Sequence, residues 1–231
     1  MTSPRRLARS IGLLFLLTIL AGVFAQGFVS ERLIIFSDAA TTANNILTHR
    51  GLYQLGFTFY LIEMACQIST AALWYILLRP VNRSVALTAA FIELAGCVIK
   101  TGARVFYLAP LFVLGAGGPS ALHAFSPEQL PAIALILLKV NDYGAATALA
   151  FFGFSTPLNG YLIFRSKFLP RWLGILSMIA GVGWATFLYP PLGYRAFPFI
   201  ALLGLIGAAA TIFWLLVFGV DEEKWRGQAA G

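Results

Sequence analysis

Charge is what this sequence has least of. Only 11% of its 231 residues are Asp, Glu, Lys or Arg, less than half the roughly 25% of an average soluble domain. A soluble protein of this size could not cover its surface with so few charges, and a disordered chain would be polar and charge-rich. Cysteine is scarce too. Cys66 and Cys97 lie within apolar stretches and read as reduced helix-packing residues rather than a disulfide or metal pair. The two histidines, His49 and His123, lie between apolar runs. Their position argues against a bis-histidine haem within a membrane and against a histidine-rich di-iron site. The sequence contains no nucleotide-binding P-loop, Gly-x-Ser-x-Gly elbow or His-Glu-x-x-His. The last apolar run has no lysine for a retinal-type Schiff base. The expectation is no cofactor, no metal and no assigned catalytic residue.

What the chain has instead is apolar length. Hydrophobic residues make up 59% of it. Residues 10–30, 143–164, 172–194 and 196–220 carry no charge, residues 51–78 hold only Glu63, and residues 85–113 hold Glu93, Lys100 and Arg104. A helix needs about 20 apolar residues to cross the hydrocarbon core. The expected fold is therefore all-α, a polytopic integral membrane protein forming a single domain over 1–231. Its six transmembrane helices are placed at about 8–29, 51–78, 85–113, 143–165, 171–189 and 196–219. Shorter interfacial helices are expected at about 38–48 and 128–140, the second either interfacial or a long extension running into the fourth span, with a Gly/Pro loop at 115–126.

The net charge of +7 does not point to nucleic acid, because the cations cluster between apolar runs. With the N-terminus inside, the inner segments hold Arg5, Arg6, Arg9, Arg79, Arg83, Arg165, Lys167, Arg171, Lys224 and Arg226, and the outer ones only Arg32, Arg50 and Arg195. That bias predicts that both termini are on the cytoplasmic side of the membrane. Arg5-Arg6 followed by an apolar run and Val23-Phe24-Ala25 resembles a secretory signal. The run from Ile11 to Val29 is longer than a usual signal core, so an uncleaved first helix is expected. The lipid bilayer is the expected partner, and the sequence does not indicate an oligomeric state.

Local signals refine this plan. Ser37-Asp38 can cap a short helix with Ile46 and Leu47 on one side. Tyr53, Tyr60, Gln67 and Trp74 recur every seven residues on the second span. On the third, Glu93, Lys100 and Arg104 fall within about 40° of one another at 100° per residue, a stripe that cannot face lipid. Small residues at Thr18/Gly22, Ala21/Ala25, Ala146/Ala150/Gly153/Pro157 and Gly204/Ala208 suit close helix contact. Ser126-Pro127-Glu128 opens a helix and Pro190-Pro191 ends one.

The chemistry-bearing set is Glu63, Glu93, Lys100, Arg104, Lys139 and Asp142. Each charge at a helix centre costs about 2.5–3.5 kcal/mol on insertion scales. Three of them cost the third span on the order of 8–10, against roughly 6 kcal/mol returned by its Leu, Ile, Val and Phe residues. Its charges therefore need partners. Depth suggests Glu63 with Lys100 and Arg104 with Asp142, with Tyr60, Gln67, Tyr107, Asn141 and Tyr143 as hydrogen-bonding neighbours. Glu93 is left without an obvious partner and is expected to be neutral. Three readings stay open: structural ion pairs; a polar pocket between helices 2, 3 and 4 that takes a small lipophilic or ionic ligand or relays protons or ions; and a membrane-embedded enzyme using Glu63 or Glu93 as acid/base on a lipid-soluble substrate.

Residues 160–174, Gly-Tyr-Leu-Ile-Phe-Arg-Ser-Lys-Phe-Leu-Pro-Arg-Trp-Leu-Gly, are distinctive. They resemble the turn between the fourth and fifth helices of the bacterial domain-of-unknown-function 4386 family, and the resemblance extends across nearly the whole chain. It implies six helices with a Glu-bearing third helix and implies no particular activity. Members often carry an Arg one turn before that Glu, where this chain has Ala90.

Overall fold

The computed structural model describes residues 3–115 and 124–230. The expected position of His123 and most of the expected 115–126 loop lie outside the described residues. Six helices among the described residues are long and apolar enough to cross a membrane, and none of those residues forms a strand. Helix α1, Pro4–Val23, runs on through a π-helical stretch, Phe24–Ser30, and a last turn, Glu31–Leu33. Then come α2 (Ala39–Thr48), α3 (Arg50–Leu78) and α4 (Arg83–Leu108), the last prolonged by a turn at Pro110–Leu114. Helices α5 (Gln129–Arg165), α6 (Arg171–Ala185), α7 (Pro190–Val217) and the tail helix α8 (Glu222–Ala229) complete the chain.

Local chemistry sets most of these ends. Asp38 caps α2 by accepting from Thr41 N–H at 2.9 Å, satisfying one of the donors that a helix start leaves open. That bond and the one from the Thr41 hydroxyl hold the Asp38 carboxyl below its usual range. Ile46 is buried but Leu47 is exposed: adjacent residues stand 100° apart on a helix, so the expected shared face does not form. Pro190 sits in the first turn of α7, six residues before the expected start at 196. Its missing N–H costs nothing there, so the Pro-Pro pair starts a helix as well as following one.

Of the two forms expected for 128–140, the structure shows the long extension into the fourth span. Ser126 N–H donates to Gln129 Oε1 at 2.9 Å, half of a capping box, and the helix then runs unbroken to Arg165. Asn141 and Asp142 do not interrupt it, because a helix satisfies its own backbone whatever the side chains do. At 1.5 Å per residue its length is about 55 Å, well beyond the roughly 30 Å of a hydrocarbon core.

The chain forms two compact units. Unit 1 comprises Met1–Thr18, Ala65–Val98 and Ala146–Gly231, and unit 2 comprises Ile19–Met64 and Ile99–Ala145. Unit 1 has an apolar core that includes Ile11, Trp74, Leu77, Leu162, Leu173 and Leu215. Its α5 and α6 meet at backbone distance. A Cβ added to Gly153 would stand 2.4 Å from Ala185 N, and one on Gly181 would stand 2.3 Å from the Pro157 ring. The small-residue face expected on the fourth span is thus what lets α6 approach, and Gly181 makes room for a proline inside α5. Unit 2 packs Ala25, Val29, Ile46, Tyr53, Tyr60, Tyr107 and Leu138 together. Large apolar side chains left exposed, such as Val105, Val182 and Phe199, have the character of a lipid-facing surface.

Candidate functional site

The charged stripe of α4 is buried as expected, with Glu93 and Arg104 both under a tenth exposed. In unit 2, Lys100 Nζ lies 2.6 Å from Glu63 Oε1, and both side chains are nearly buried. This is the pair that depth along the two spans suggests. Gly22 comes close beside it: a Cβ there would stand 3.1 Å from Glu63 Oε1, so this glycine leaves the carboxylate its place. Glu63 Oε2 is buried with no hydrogen-bond partner.

One turn beyond Lys100 on α4, the Arg104 guanidinium lies 3.5 Å over the Tyr60 ring, a cation–π contact that is strengthened by removal from water. Its Nη1 donates to Asn141 Oδ1 at 3.0 Å, and its Nε is buried without a partner. Asn141, expected only as a neighbour, is therefore a direct ligand of Arg104. Asp142, the expected partner, is half-buried at the next position.

Three tyrosines carry this centre onward. Tyr53 and Tyr107 stack at 4.4 Å, and Tyr60 meets Tyr107 edge-on at 5.2 Å. Tyr53 OH donates to the Tyr107 carbonyl. Tyr60 OH donates to Gln26 Oε1 at 2.6 Å and lies 3.0 Å from Ser30 Oγ, which in turn lies 3.4 Å from Tyr107 OH. Gln26 and Ser30 both sit on the π-helical stretch. Its wider turn changes which side chains share a face, and such stretches are rare and often occur at functional sites. These two residues were missed in the sequence. The available signal was two polar residues near the end of a long charge-free run.

Glu93 does not join that centre. In unit 1 it accepts from Gln67 Nε2 and from Ser155 Oγ, so the expectation of a carboxyl without a partner is corrected. Gln67 belongs to the seven-residue stripe of α3, whose other members Tyr53, Tyr60 and Trp74 are buried. Ser155 was not foreseen. It stands among the small residues of α5, where a buried hydroxyl reads at first as packing. Lys139 is exposed, its ammonium 5.4 Å over Phe36, and Tyr143 is exposed. Among the described residues, no group of three or more His, Cys, Asp or Glu could hold a metal, and His49 is an exposed residue beside Asn45 O.

Two open hollows, of about 880 and 860 Å³, lie in unit 1 at the α5–α6 turn and tail. Neither is lined by Glu63, Lys100 or Arg104. The charged centre of unit 2 leaves two buried polar atoms, Glu63 Oε2 and Arg104 Nε, without partners.

Six helices long and apolar enough to cross a membrane, with Glu63, Glu93 and Arg104 buried between helices, mark a multi-pass membrane protein. The family model described as "Domain of unknown function (DUF4386)" matches residues 10–219, and the chain belongs to that family. An uncharacterized protein of Archaeoglobus fulgidus is 25% identical over 174 residues, which covers 73% of this chain and 85% of its own. No solved structure matches the chain.

Proposed function

We propose that the protein is a non-enzymatic, multi-pass protein of the bacterial cytoplasmic membrane, with both termini inside, whose centre around Glu63, Lys100 and Arg104 binds a small polar or ionic ligand. One observation carries the reading. Two charged side chains within one centre each bury a polar atom without a partner, Glu63 Oε2 and Arg104 Nε. A purely structural ion pair is favourable only when its remaining lone pairs and protons are satisfied, and buried polar atoms left over in a native site point to something that fills them. Here the leftovers are one acceptor and one donor, which a small molecule with a hydroxyl, or with an ammonium and a carboxylate on the same molecule, would satisfy.

The test is ligand-dependent thermal stabilisation of the purified protein across a panel of small zwitterions, organic anions and monovalent cations. A stabilising probe should lose its effect in Glu63→Gln and in Arg104→Met, while Glu93→Gln keeps it. If no probe stabilises the parent, the cluster is a structural brace and the reading falls.

A further inference from the structure

The basic turn between α5 and α6 is accounted for so far only as an orientation signal. The positive-inside rule explains the sign of its charges but not their arrangement. That turn and the tail helix α8 surround an open hollow of about 860 Å³ in unit 1. Four cationic side chains line it, Arg165, Lys167, Arg171 and Lys224, and no carboxylate does. Lys224 comes from a segment more than fifty residues beyond Arg171 in sequence, so folding gathers these charges.

The rim is a built one. Trp225 Nε1 donates to the Leu77 carbonyl at 2.9 Å, Asp221 N–H to the Phe168 carbonyl at 3.3 Å, and Lys167 N–H to Gln228 Oε1 at 3.2 Å. These bonds tie α8 down, and Lys224 is steadied by Asp221 Oδ2 at 2.8 Å. The Arg171 guanidinium stands 5.6 Å over the Phe164 ring. Pro170 and Arg171, which open α6, also line the hollow. Pro170 provides no side-chain cap, so the first-turn N–H groups and the positive end of the α6 dipole add to the cationic wall.

An anion with several acceptor oxygens matches this wall, and phosphate is the one a membrane supplies in quantity. The helix that begins here also presents Trp172, Ile175 and Ile179, each at least two-fifths exposed. Their spacing of three and four residues puts them on one face, an apolar track starting at the cationic hollow. We propose that the hollow binds the phosphate of an anionic phospholipid headgroup, with an acyl chain lying along Trp172, Ile175 and Ile179. The same phosphate chemistry is offered by free inorganic phosphate, and the apolar track favours the lipid.

The experiment compares thermal unfolding of the full chain in three settings: nanodiscs of phosphatidylcholine, nanodiscs of phosphatidylcholine with phosphatidylglycerol, and phosphatidylcholine discs with added inorganic phosphate. Phosphatidylglycerol should raise the melting temperature. Lys167→Gln/Arg171→Gln should lose most of that rise and weaken retention of phosphatidylglycerol in native mass spectrometry by about tenfold or more, since each basic residue near an anionic lipid contributes separately. Arg6→Gln/Arg9→Gln removes the same charge from positions outside the hollow and should keep both. Equal losses in the two double variants would reduce the effect to net charge and overturn the site, as would no rise with phosphatidylglycerol in the parent. An equal rise with inorganic phosphate would overturn the lipid as the source while the phosphate site stands. If Lys167→Gln/Arg171→Gln is itself less stable in phosphatidylcholine, lipid retention decides: unchanged retention overturns the proposal.

Discussion

Each unit buries a glutamate, and the two are surrounded differently. In unit 2, Glu63 meets the Lys100 ammonium, and the neighbouring Arg104 is held by an aromatic face and a side-chain amide. In unit 1, Glu93 is met by the amide of Gln67 and the hydroxyl of Ser155. The surroundings differ as well: unit 2 joins its helices through charges and tyrosine hydroxyls, unit 1 through glycines that bring α5 and α6 to backbone contact. Opposite charges in a low-dielectric interior depend strongly on each other, whereas dipolar donors depend weakly on the charge of what they bind. Substitution should therefore separate the two glutamates.

The largest expected effect is at the ion pair. Glu63→Ala or Lys100→Met alone leaves a buried charge and should cost about 3–5 kcal/mol of stability in detergent unfolding. The double variant Glu63→Leu/Lys100→Met should recover much of that, and strict additivity would break the contrast. Next comes close packing. Gly153→Ala drives a methyl into the Ala185 backbone and should cost about 1–3 kcal/mol or more. Gly102→Ala, where an added Cβ meets nothing within 4 Å, should be neutral or stabilise α4 by up to about 1 kcal/mol.

The second glutamate should respond less than the first. Ser155→Ala removes one donor from a buried carboxyl and should cost about 1–2 kcal/mol. Glu93→Gln keeps shape and hydrogen-bonding capacity and should cost under about 1 kcal/mol. A Glu93→Gln loss as large as that of Glu63→Ala would show that charge matters equally in both units.

The smallest effect is at the tail. Hydrogen bonds from Lys224 hold the Asp221 carboxyl below its usual range, the Ser3 hydroxyl does the same for Glu222, and Asp221 holds Lys224 above its own. For the two carboxyls the contribution is complete above the ordinary carboxylate range and is lost as pH falls through their lowered values. For Lys224 it is complete below the ordinary lysine range and is lost as pH rises through its raised value. Trp225 emission, isolated by subtracting the Trp225→Phe spectrum, should shift to the red at both extremes and stay constant between them.

Much of the fold was legible in the residues. Apolar length, charge-free in four runs and nearly so in two, marked all six long helices, Asp38 announced the cap of α2, and the seven-residue recurrence of Tyr53, Tyr60, Gln67 and Trp74 marked the buried face of α3. The Glu63–Lys100 pair followed from matching depth on adjacent antiparallel spans, since an intramembrane charge must find its opposite. Arg104 was harder. Asn141, next in sequence to the expected Asp142, supplies the side-chain amide that the guanidinium meets, a role that composition does not reveal. Ser155 lies 62 residues from Glu93 and has no charge to advertise it.

By itself, the sequence determined that this chain enters a membrane as six helices and which side chains cannot face lipid, because both follow from the cost of exposing a charge or a peptide group to hydrocarbon. Only the tertiary structure decided which buried groups meet. It put Gln26 and Ser30 on a π-helical turn against Tyr60, gave Glu93 to Gln67 and Ser155, and left Glu63 Oε2 and Arg104 Nε without partners. The physical reason is that burial depends on one residue and its depth, whereas a partner depends on the rotation and closeness of a second helix, set by every small residue packed along it.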